Sequence, residues 1–557
     1  MNREWVLPIV LLGCLILCLC LVSIACLGLA GLSMFTFPVS TEIIPGFTQE
    51  AQVIITQEAT IPPTQGVPTL EPSSTATEAP SLPEPTQIVH PPSSVPTDTL
   101  RLLNDTVVPP NSWAELSARL AGIDNIPDTV AAPAVAYQVG DRRQFWVTNT
   151  DTSQSFQVEA VLSAVGEHVY FWVEQGVGYD EGELNRLVQV FDEQIIPTNR
   201  EFFGSEWSPG VDNDPRLYIL FARQIGSSLV GYFSSADEVH PLAHEYSNAA
   251  EMFILNADNI TSLDSDYTYG VLAHEYQHMI HWYRDRNETS WLNEGFSELA
   301  ALLNGFYLSG FDTLYLEDTD IQLTDWPDDS TITRPHYGAG FLFVTYFLDR
   351  FGEQATQALV GHPNNGMASV DDVLAEIQAS DGQTGQLIQA DDVFADWSVA
   401  NYLMDPSIEN GRYSYQTFEN SLQAAVTEEI SRCPSNSLER SVHQYGVDYI
   451  LFDCPNGTYT LNFQGAQQVS VVPASAHSGR AAFWSNQGDE SDMRLTRSFD
   501  FTGASGPLTL NYWTWYEVET DYDYVYLLAS EDEGATWKFL ITPSGTSMDP
   551  SGNSYGW

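Results

Sequence analysis

The sequence predicts an α+β fold in two lobes, a β-containing N-terminal lobe feeding a helical one, followed by an all-β sandwich module. Three observations lead there. Strand-like runs dominate residues 143–265, helical periodicity takes over after Asp266, and beyond about Gly446 short strands return between Gly, Asp and Ser turns. With 557 residues, 43% of them apolar and 12% aromatic, the chain exceeds what one hydrophobic core usually organises.

The N-terminal segment comes first. Residues 5–37 carry no charge, follow only Arg3 and Glu4, and outrun the roughly 20 residues that cross a bilayer. Residues 1–37 are therefore expected to be a signal peptide or a membrane anchor: Gly28 and Ala30 offer a small-residue cleavage pattern, while the length of the run favours the anchor. No Lys or Arg follows Arg3 until Arg101, which puts the rest of the chain outside the cell or on its surface. Of six cysteines, four lie in the apolar run. The other two, Cys433 and Cys454, are 21 positions apart in the exported part and are expected to form one disulfide, with two free thiols as the alternative.

Residues 38–100 are rich in Pro, Thr, Ser and Glu and too poor in apolar side chains to repay ordering, so they form an extended stalk. Residues 101–136 are a lead-in or a prosegment. In the N-terminal lobe, 137–265, strands are expected around Phe145, Val147, 158–161 and 169–173, then at 217–221 and 252–255. Leu184, Leu187, Val188, Phe191 and Ile195 recur at helical spacing until Pro197, which should stop that helix. In the helical lobe, 266–432, helices are expected over 267–284, 291–303, 339–351 with Gly352 as cap, and 392–402. The sandwich module, 433–557, contains strands at 459–463, 508–515 and 525–528, and it stops at Trp557 in strand-like sequence, which leaves an incomplete module open.

Composition narrows the function classes. The 74 acidic against 20 basic side chains give a formal charge of -54, a field that repels nucleic acid and anionic lipid surfaces. Membrane association would then run through the N-terminal segment alone. Composition sets no oligomeric state.

The chemistry is concentrated at His274-Glu275-Tyr276-Gln277-His278. Residues four apart share a helix face, so the two imidazoles can bind one tetrahedral zinc while Glu275, beside them, accepts a proton from an activated water. On the next expected helix, Trp291-Leu292-Asn293-Glu294-Gly295-Phe296-Ser297-Glu298 offers Glu294 as a third ligand and Glu298, one turn on, as the acceptor for a ring N–H of a zinc histidine. His281 lies on the same face as His274 and competes for the third position, but a ligand seven residues away on a straight helix closes a tetrahedron poorly.

These residues resemble the thermolysin-like gluzincins, whose HExxH is followed by Asn-Glu-x-x-Ser-Asp/Glu; Asn293, Glu294, Ser297 and Glu298 match it. HEYQHMIHW with WLNEGFSE is most similar to the hyicolysin type of secreted metallopeptidase. Metzincins fit poorly, because they need Gly at 281 and His at 284, where His281 and Arg284 stand. Only 15 residues separate His278 from Glu294, fewer than in thermolysin. The resemblance implies a thermolysin-like two-lobed fold, one catalytic Zn2+, and hydrolysis of protein or peptide substrates. It also implies an oxyanion donor: Tyr337 matches the Tyr-x-x-Gly that opens a helix in the aminopeptidase branch, and His336 is the runner-up. Substrate backbone in this clan pairs with an edge strand upstream of the metal helix, expected here at Glu251, Met252 and Phe253. The Gly-x-Met-Glu-Asn motif of the aminopeptidases is absent, which favours an endopeptidase. The alternatives are an aminopeptidase or other zinc hydrolase, and an inactive fold serving as a surface binding protein.

Two further features complete the reading. His477-Ser478-Gly479-Arg480-Ala481-Ala482-Phe483-Trp484 resembles the C-terminal β-module of the immune inhibitor A family, and Ser530-x-Asp532-x-Gly534-x-Thr536-Trp537 is an Asp-box turn. The acidic loops 212–214 and 519–523 offer oxygen ligands to Ca2+, with plain solvation as the alternative. Finally, no cysteine lies between Cys26 and Cys433, so no thiolate from a prosegment is available to cap a zinc ion.

Overall fold

The computed structural model describes residues 49–55 and 99–555, apart from 105, 134, 328, 420, 434–437, 456, 467–469, 547, 550, 551 and 553. The apolar N-terminal segment and nearly all of the stalk lie outside the described residues. Among the described residues no helix is long and apolar enough to cross a membrane.

The N-terminal lobe is built on a six-stranded sheet. Its strands are β1 (Arg142–Asn149), β2 (Gln154–Val165), β3 (Val169–Glu174), β4 (Leu217–Ala222), β5 (Gly231–Phe233) and β6 (Met252–Asn256), in the order β1-β2-β3-β4-β6-β5. β3, β4 and β6 run parallel at the centre, and the others are antiparallel. The central strands read as unbroken apolar runs because both faces are covered. Phe171, Ile219, Phe253 and Leu255 pack against the helices, while Tyr170, Trp172, Tyr218 and Ile254 face a second cluster with Phe145 and Val147.

This order corrects the expected edge strand. β6, which carries Met252 and Phe253, is flanked on both sides, and the sheet edge next to it is β5. Three residues of Gly-Tyr-Phe are too short for an alternation to show in sequence.

Pro197 also behaves differently from expectation. α1 (Glu181–Val190) passes through a π-helical turn, Phe191–Ile195, into α2 (Ile196–Phe203) without stopping. The wide turn breaks the regular ladder just where proline has no N–H to give, and Pro197 then sits in the first turn of the new segment.

The helical lobe runs α3 (Asp266–Arg284), α4 (Ser290–Leu303), α5 (Phe311–Glu317), α6 (Ser330–Phe351), α7 (Glu353–Leu359), α8 (Gly366–Glu376) and α9 (Ala390–Leu403). α6 starts nine residues before the expected 339. Asp329 caps it by accepting the Thr331 N–H, and Pro335, which masks the first turns in sequence, sits inside it. Tyr337 is therefore within this helix rather than at its opening. Gly340 lets α6 meet α4 backbone to backbone: a Cβ there would stand 2.4 Å from the Trp291 carbonyl oxygen.

Beyond Leu403 the structure draws only short ladders: Glu428–Ile430 with Ile450–Phe452, Leu528–Ala529 with Lys538–Phe539, and a strand Leu508–Thr514. The expected two packed sheets are not formed among the described residues, and 459–463 is irregular. Phe463, Phe483 and Ile541 are 82–90% exposed there. Cys433 and Cys454 form the expected disulfide. The Asp-box turn is closed by Asp532, which accepts the Thr536 N–H at 2.8 Å and its hydroxyl at 2.6 Å.

Candidate metal centre

α3 begins at Ser265, whose hydroxyl accepts the Thr268 N–H, and it buries Leu272, Ala273, Tyr276, Met279 and Ile280 against the core. That packing fixes the rotation of the helix, so His274 and His278 are presented together toward α4. α4 in turn buries Trp291, Leu292, Phe296 and Leu299 and turns Glu294 to meet them.

Three atoms converge. His274 Nε2 and His278 Nε2 are 3.0 Å apart, and Glu294 Oε2 lies 3.2 Å from the first and 3.3 Å from the second. Ligands about 2.0–2.1 Å from a tetrahedral zinc ion stand roughly 3.3–3.4 Å from one another, so the triangle has the size of one face of that tetrahedron. Glu294 Oε2 is buried with no hydrogen-bond donor, as a ligand atom would be. Among the described residues this is the one group of three His, Cys, Asp or Glu side chains with ligand atoms so close together.

The far side of each ring is engaged. His274 Nδ1 is 3.2 Å from Glu298 Oε1, and the other oxygen of that carboxylate accepts the Ser309 hydroxyl at 2.7 Å. His278 Nδ1 is 3.0 Å from Asn293 Oδ1 and 3.1 Å from the Ser297 hydroxyl. With Nδ1 as the donor, each Nε2 lone pair is left pointing into the triangle. Burial works against charge on both rings, yet Glu294 and its neighbours raise their basicity; the imidazoles in turn outweigh burial and hold the Glu294 carboxyl far below its usual range.

Glu275 lies beside the triangle and outside it. Its Oε2 accepts the backbone N–H of Phe233, in the edge strand β5, at 2.8 Å. It is 7% exposed, and burial pushes its carboxyl above the ordinary value. The Tyr337 hydroxyl is 3.5 Å from Glu294 Oε1, and its ring is held between Trp326 and Phe311 at 4.8 and 5.0 Å. Burial and then the charges of Glu294, Glu298 and Glu275 keep that phenol protonated well beyond its ordinary range.

The structure does not bring every expected residue here. His336, on the same helix, packs on Trp326 and is held neutral by burial near the backbone of Asp325 and Gln322. His281 is fully buried against Phe296, with its pKa lowered to about 3 mainly by burial, and takes no part in the triangle. Glu251 is 1% exposed and accepts the Val211 N–H, away from any open edge. Asp212 and Asp214, offered as oxygen ligands or as a solvated loop, accept the hydroxyls of Tyr218 and Tyr170. Asp523 closes its own loop by accepting the Glu519 N–H.

A cleft of about 390 Å³ adjoins the triangle, lined by His278, Glu294, Phe233 and Trp282, with Trp113 from the lead-in and Glu490 from the C-terminal region. That last contribution is not legible in the sequence, because it depends on contacts between residues 379 and 255 positions apart: Asn111 donates its backbone N–H to the Glu490 carbonyl at 2.7 Å, and Ser235 donates to the Glu490 carboxylate at 2.6 Å. A larger cavity of about 580 Å³ lies elsewhere, over Arg350 and Arg412.

Comparison with known proteins places these features among relatives. Residues 461–556 match the family described as Immune inhibitor A-like, MAM domain. The chain is 29% identical over 178 residues to the neutral metalloprotease ShpI of Staphylococcus hyicus, a match covering 29% of this chain and 39% of that protein. It thus spans about two fifths of that relative's length. Among solved structures, an M1 zinc metallopeptidase from Deinococcus radiodurans is 12% identical over 46% of this chain and 51% of its own, with a TM-score of 0.27. A two-domain form of an M1 zinc metallopeptidase bound to L-arginine gives 13% and 0.26. These scores are too low to define a shared fold. The chain resembles a neutral metalloprotease and carries an immune inhibitor A-like module at its C-terminal end.

Proposed function

We propose that this chain is a zinc metalloendopeptidase of the gluzincin type, acting on proteins outside the cell. The observation that carries the reading is the triangle of His274 Nε2, His278 Nε2 and Glu294 Oε2, with edges of 3.0, 3.2 and 3.3 Å. A zinc ion held there supplies Lewis-acid polarisation of a carbonyl and brings the pKa of a water near neutral.

The chain's own residues do the rest. Glu298 and Asn293 fix the tautomers and orientations of the two imidazoles. Glu275, steadied by the Phe233 N–H, takes the proton of the attacking water and returns it to the leaving amine. Its burial raises its affinity for that proton, which suits a base that must also act as an acid. Tyr337 donates its hydroxyl hydrogen to the oxyanion as charge develops. Among the described residues no strand pairs with the outer side of β5, so an extended substrate can add to it as a further strand, and the same strand carries the Phe233 N–H that holds the base. Two functions thereby meet in one backbone segment.

An endopeptidase is favoured over an aminopeptidase, which needs an acidic side chain to hold the free α-amine of its substrate, because Glu251, the acid of the expected substrate strand, is buried and bonded to Val211. The two-lobed arrangement, a sheet with its edge beside a pair of metal-holding helices, fits the thermolysin-like plan. The test is digestion of an unstructured protein and of N-terminally blocked peptides, with metal content measured on the same sample. Zinc at one per chain together with cleavage of blocked peptides supports the proposal; zinc without proteolysis favours a binding protein.

A further inference from the structure

Two distant stretches of the chain meet at the cleft. Residues 109–111 of the lead-in and 490–492 of the C-terminal region pair as an antiparallel bridge centred on Pro110 and Ser491. The Asn111 N–H reaches the Glu490 carbonyl at 2.7 Å, and the Asp492 N–H reaches the Pro109 carbonyl at 3.1 Å. Ion pairs extend the contact: Arg119 with Asp492 and Arg494 with Glu115, each at 2.7 Å. A lone pair of short strands is marginal in water, so the position of this one depends on what else it grips.

Its grip falls on both walls of the cleft. Glu490 Oε1 accepts the hydroxyl of Ser235, two residues past the edge strand β5, at 2.6 Å, and Glu490 Oε2 accepts the Asn111 side-chain amide at 2.7 Å. The neighbouring Asp489 accepts the hydroxyl of Ser290, the first residue of α4, which carries Glu294. On that same side the Asn287 side chain donates to the Val108 carbonyl at 3.0 Å. Trp113 packs edge-on to His244 of the sheet lobe, with ring centroids 5.0 Å apart. Successive side chains of an extended segment point to opposite sides. Here one is bonded to the sheet lobe and the next to the helical lobe, so the segment crosses from wall to wall. Asp489 and Glu490 line the cleft together with His278, Glu294 and Phe233.

We propose that residues 488–492 form an autoinhibitory strap, which closes the cleft while Asp489 and Glu490 hold its two walls and Arg119 and Arg494 clamp the lead-in to it. The inference rests on the peptidase reading above. A substrate that pairs with β5 meets the Glu490 carboxylate at Ser235, two residues beyond the strand, so the strap has to leave first. The bonds to Ser235 and Ser290 are hydroxyl-to-carboxylate contacts that water can replace, and the strap can therefore open without unfolding either lobe. A closed state lowers the apparent affinity for substrate by the fraction of molecules that are open.

Two full-length double variants test this. Asp489→Ala with Glu490→Ala releases both walls, and kcat/KM on an N-terminally blocked peptide should rise about tenfold, mainly through KM. Pro110→Cys with Ser491→Cys fixes the strap in place. The backbone bonds flank this pair rather than join it, which marks the closely spaced kind of antiparallel pair, with Cα atoms about 4.5 Å apart, a separation that a disulfide spans. The oxidised form should fall to roughly a tenth of wild-type activity and recover on mild reduction, with wild type treated alike as the control. Amide hydrogen exchange over residues 232–236 reads the same opening without turnover, faster in the alanine variant and slower in the cross-linked one. Unchanged exchange and unchanged kcat/KM in the alanine variant overturn the strap and leave the peptidase reading intact. Exchange that responds in a chain that cleaves no peptide supports the closure and refutes the peptidase reading, so the two failures are told apart. If the cysteine variant does not fold, the alanine variant decides alone.

Discussion

Replacing Tyr337 by Phe removes one oxygen and nothing else from the proposed site. The ring keeps its packing against Trp326 and Phe311, so Tm should stay within a degree or so of wild type. The only bond lost before reaction is the 3.5 Å contact with Glu294 Oε1, at the outer limit for a hydrogen bond, so zinc affinity should hardly change. In the transition state the loss is larger, because a donor aimed at an oxyanion in a water-poor site contributes about 3 kcal/mol, or roughly a hundredfold in rate. The expected signature is therefore kcat lowered about a hundredfold with KM nearly unchanged. Steady-state kinetics on an N-terminally blocked, internally quenched peptide read both constants, and metal analysis confirms that zinc is still bound. A Tyr337→Phe enzyme within threefold of wild type refutes the assignment. His336→Ala should be close to wild type, since His336 faces Trp326, and a kcat loss there would reverse the two roles.

Other consequences follow from neighbouring contacts. Glu298→Ala frees the His274 ring and should weaken zinc binding roughly 10–100-fold, measured by competition with a chelating dye. Burial and then Asp285 raise the Glu288 carboxyl from 4.5 to about 8. The folded chain therefore holds a proton there that the unfolded chain has released, and this contribution to stability is present below about pH 4.5 and lost as pH rises toward 8. Glu288→Gln should accordingly flatten the decline of Tm between pH 5 and 8, and an unchanged slope would contradict it. Because the lead-in reaches Glu490 at the cleft, removing residues 101–136 should raise activity on a protein substrate, and a mercurial should not activate the exported chain, whose two cysteines, Cys433 and Cys454, are joined. Strong activation by the mercurial would reveal a thiol on the metal.

What was legible in the sequence was local. The spacing of His274 and His278 specifies a shared helix face with no knowledge of the rest, and Asn293, Glu294, Ser297 and Glu298 repeat that logic one helix later. The central strands announce themselves because sheets covered on both faces demand unbroken apolar runs, as at Leu217–Ala222. Long-range arrangement was not legible. Which strand is the edge depends on strand order, which local patterning does not carry: Met252 and Phe253 lie on β6, paired on both sides, and not on the edge strand β5. Proline misled at both Pro197 and Pro335, since a π-helical turn or a surviving first turn can absorb the missing donor. Nor does a pattern of residue types show that an acid is buried: Glu251, expected beside the substrate, is 1% exposed and bonded to Val211. The C-terminal region was legible as a family resemblance through residues such as His477 and Trp484, and its alternation at 508–515 corresponds to the strand Leu508–Thr514, whereas 459–463, with Phe463 exposed, forms none.

The central claim is that Glu275 is a base beside a zinc ion held by His274, His278 and Glu294. The most direct measurement is zinc content and turnover on the same preparation of Glu275→Gln, compared with wild type. Gln keeps the size of the side chain and offers an oxygen to the Phe233 N–H, so the account predicts one zinc per chain and a loss of nearly all turnover. Activity close to wild type would contradict the role of the base, and loss of the zinc would put Glu275 among the ligands.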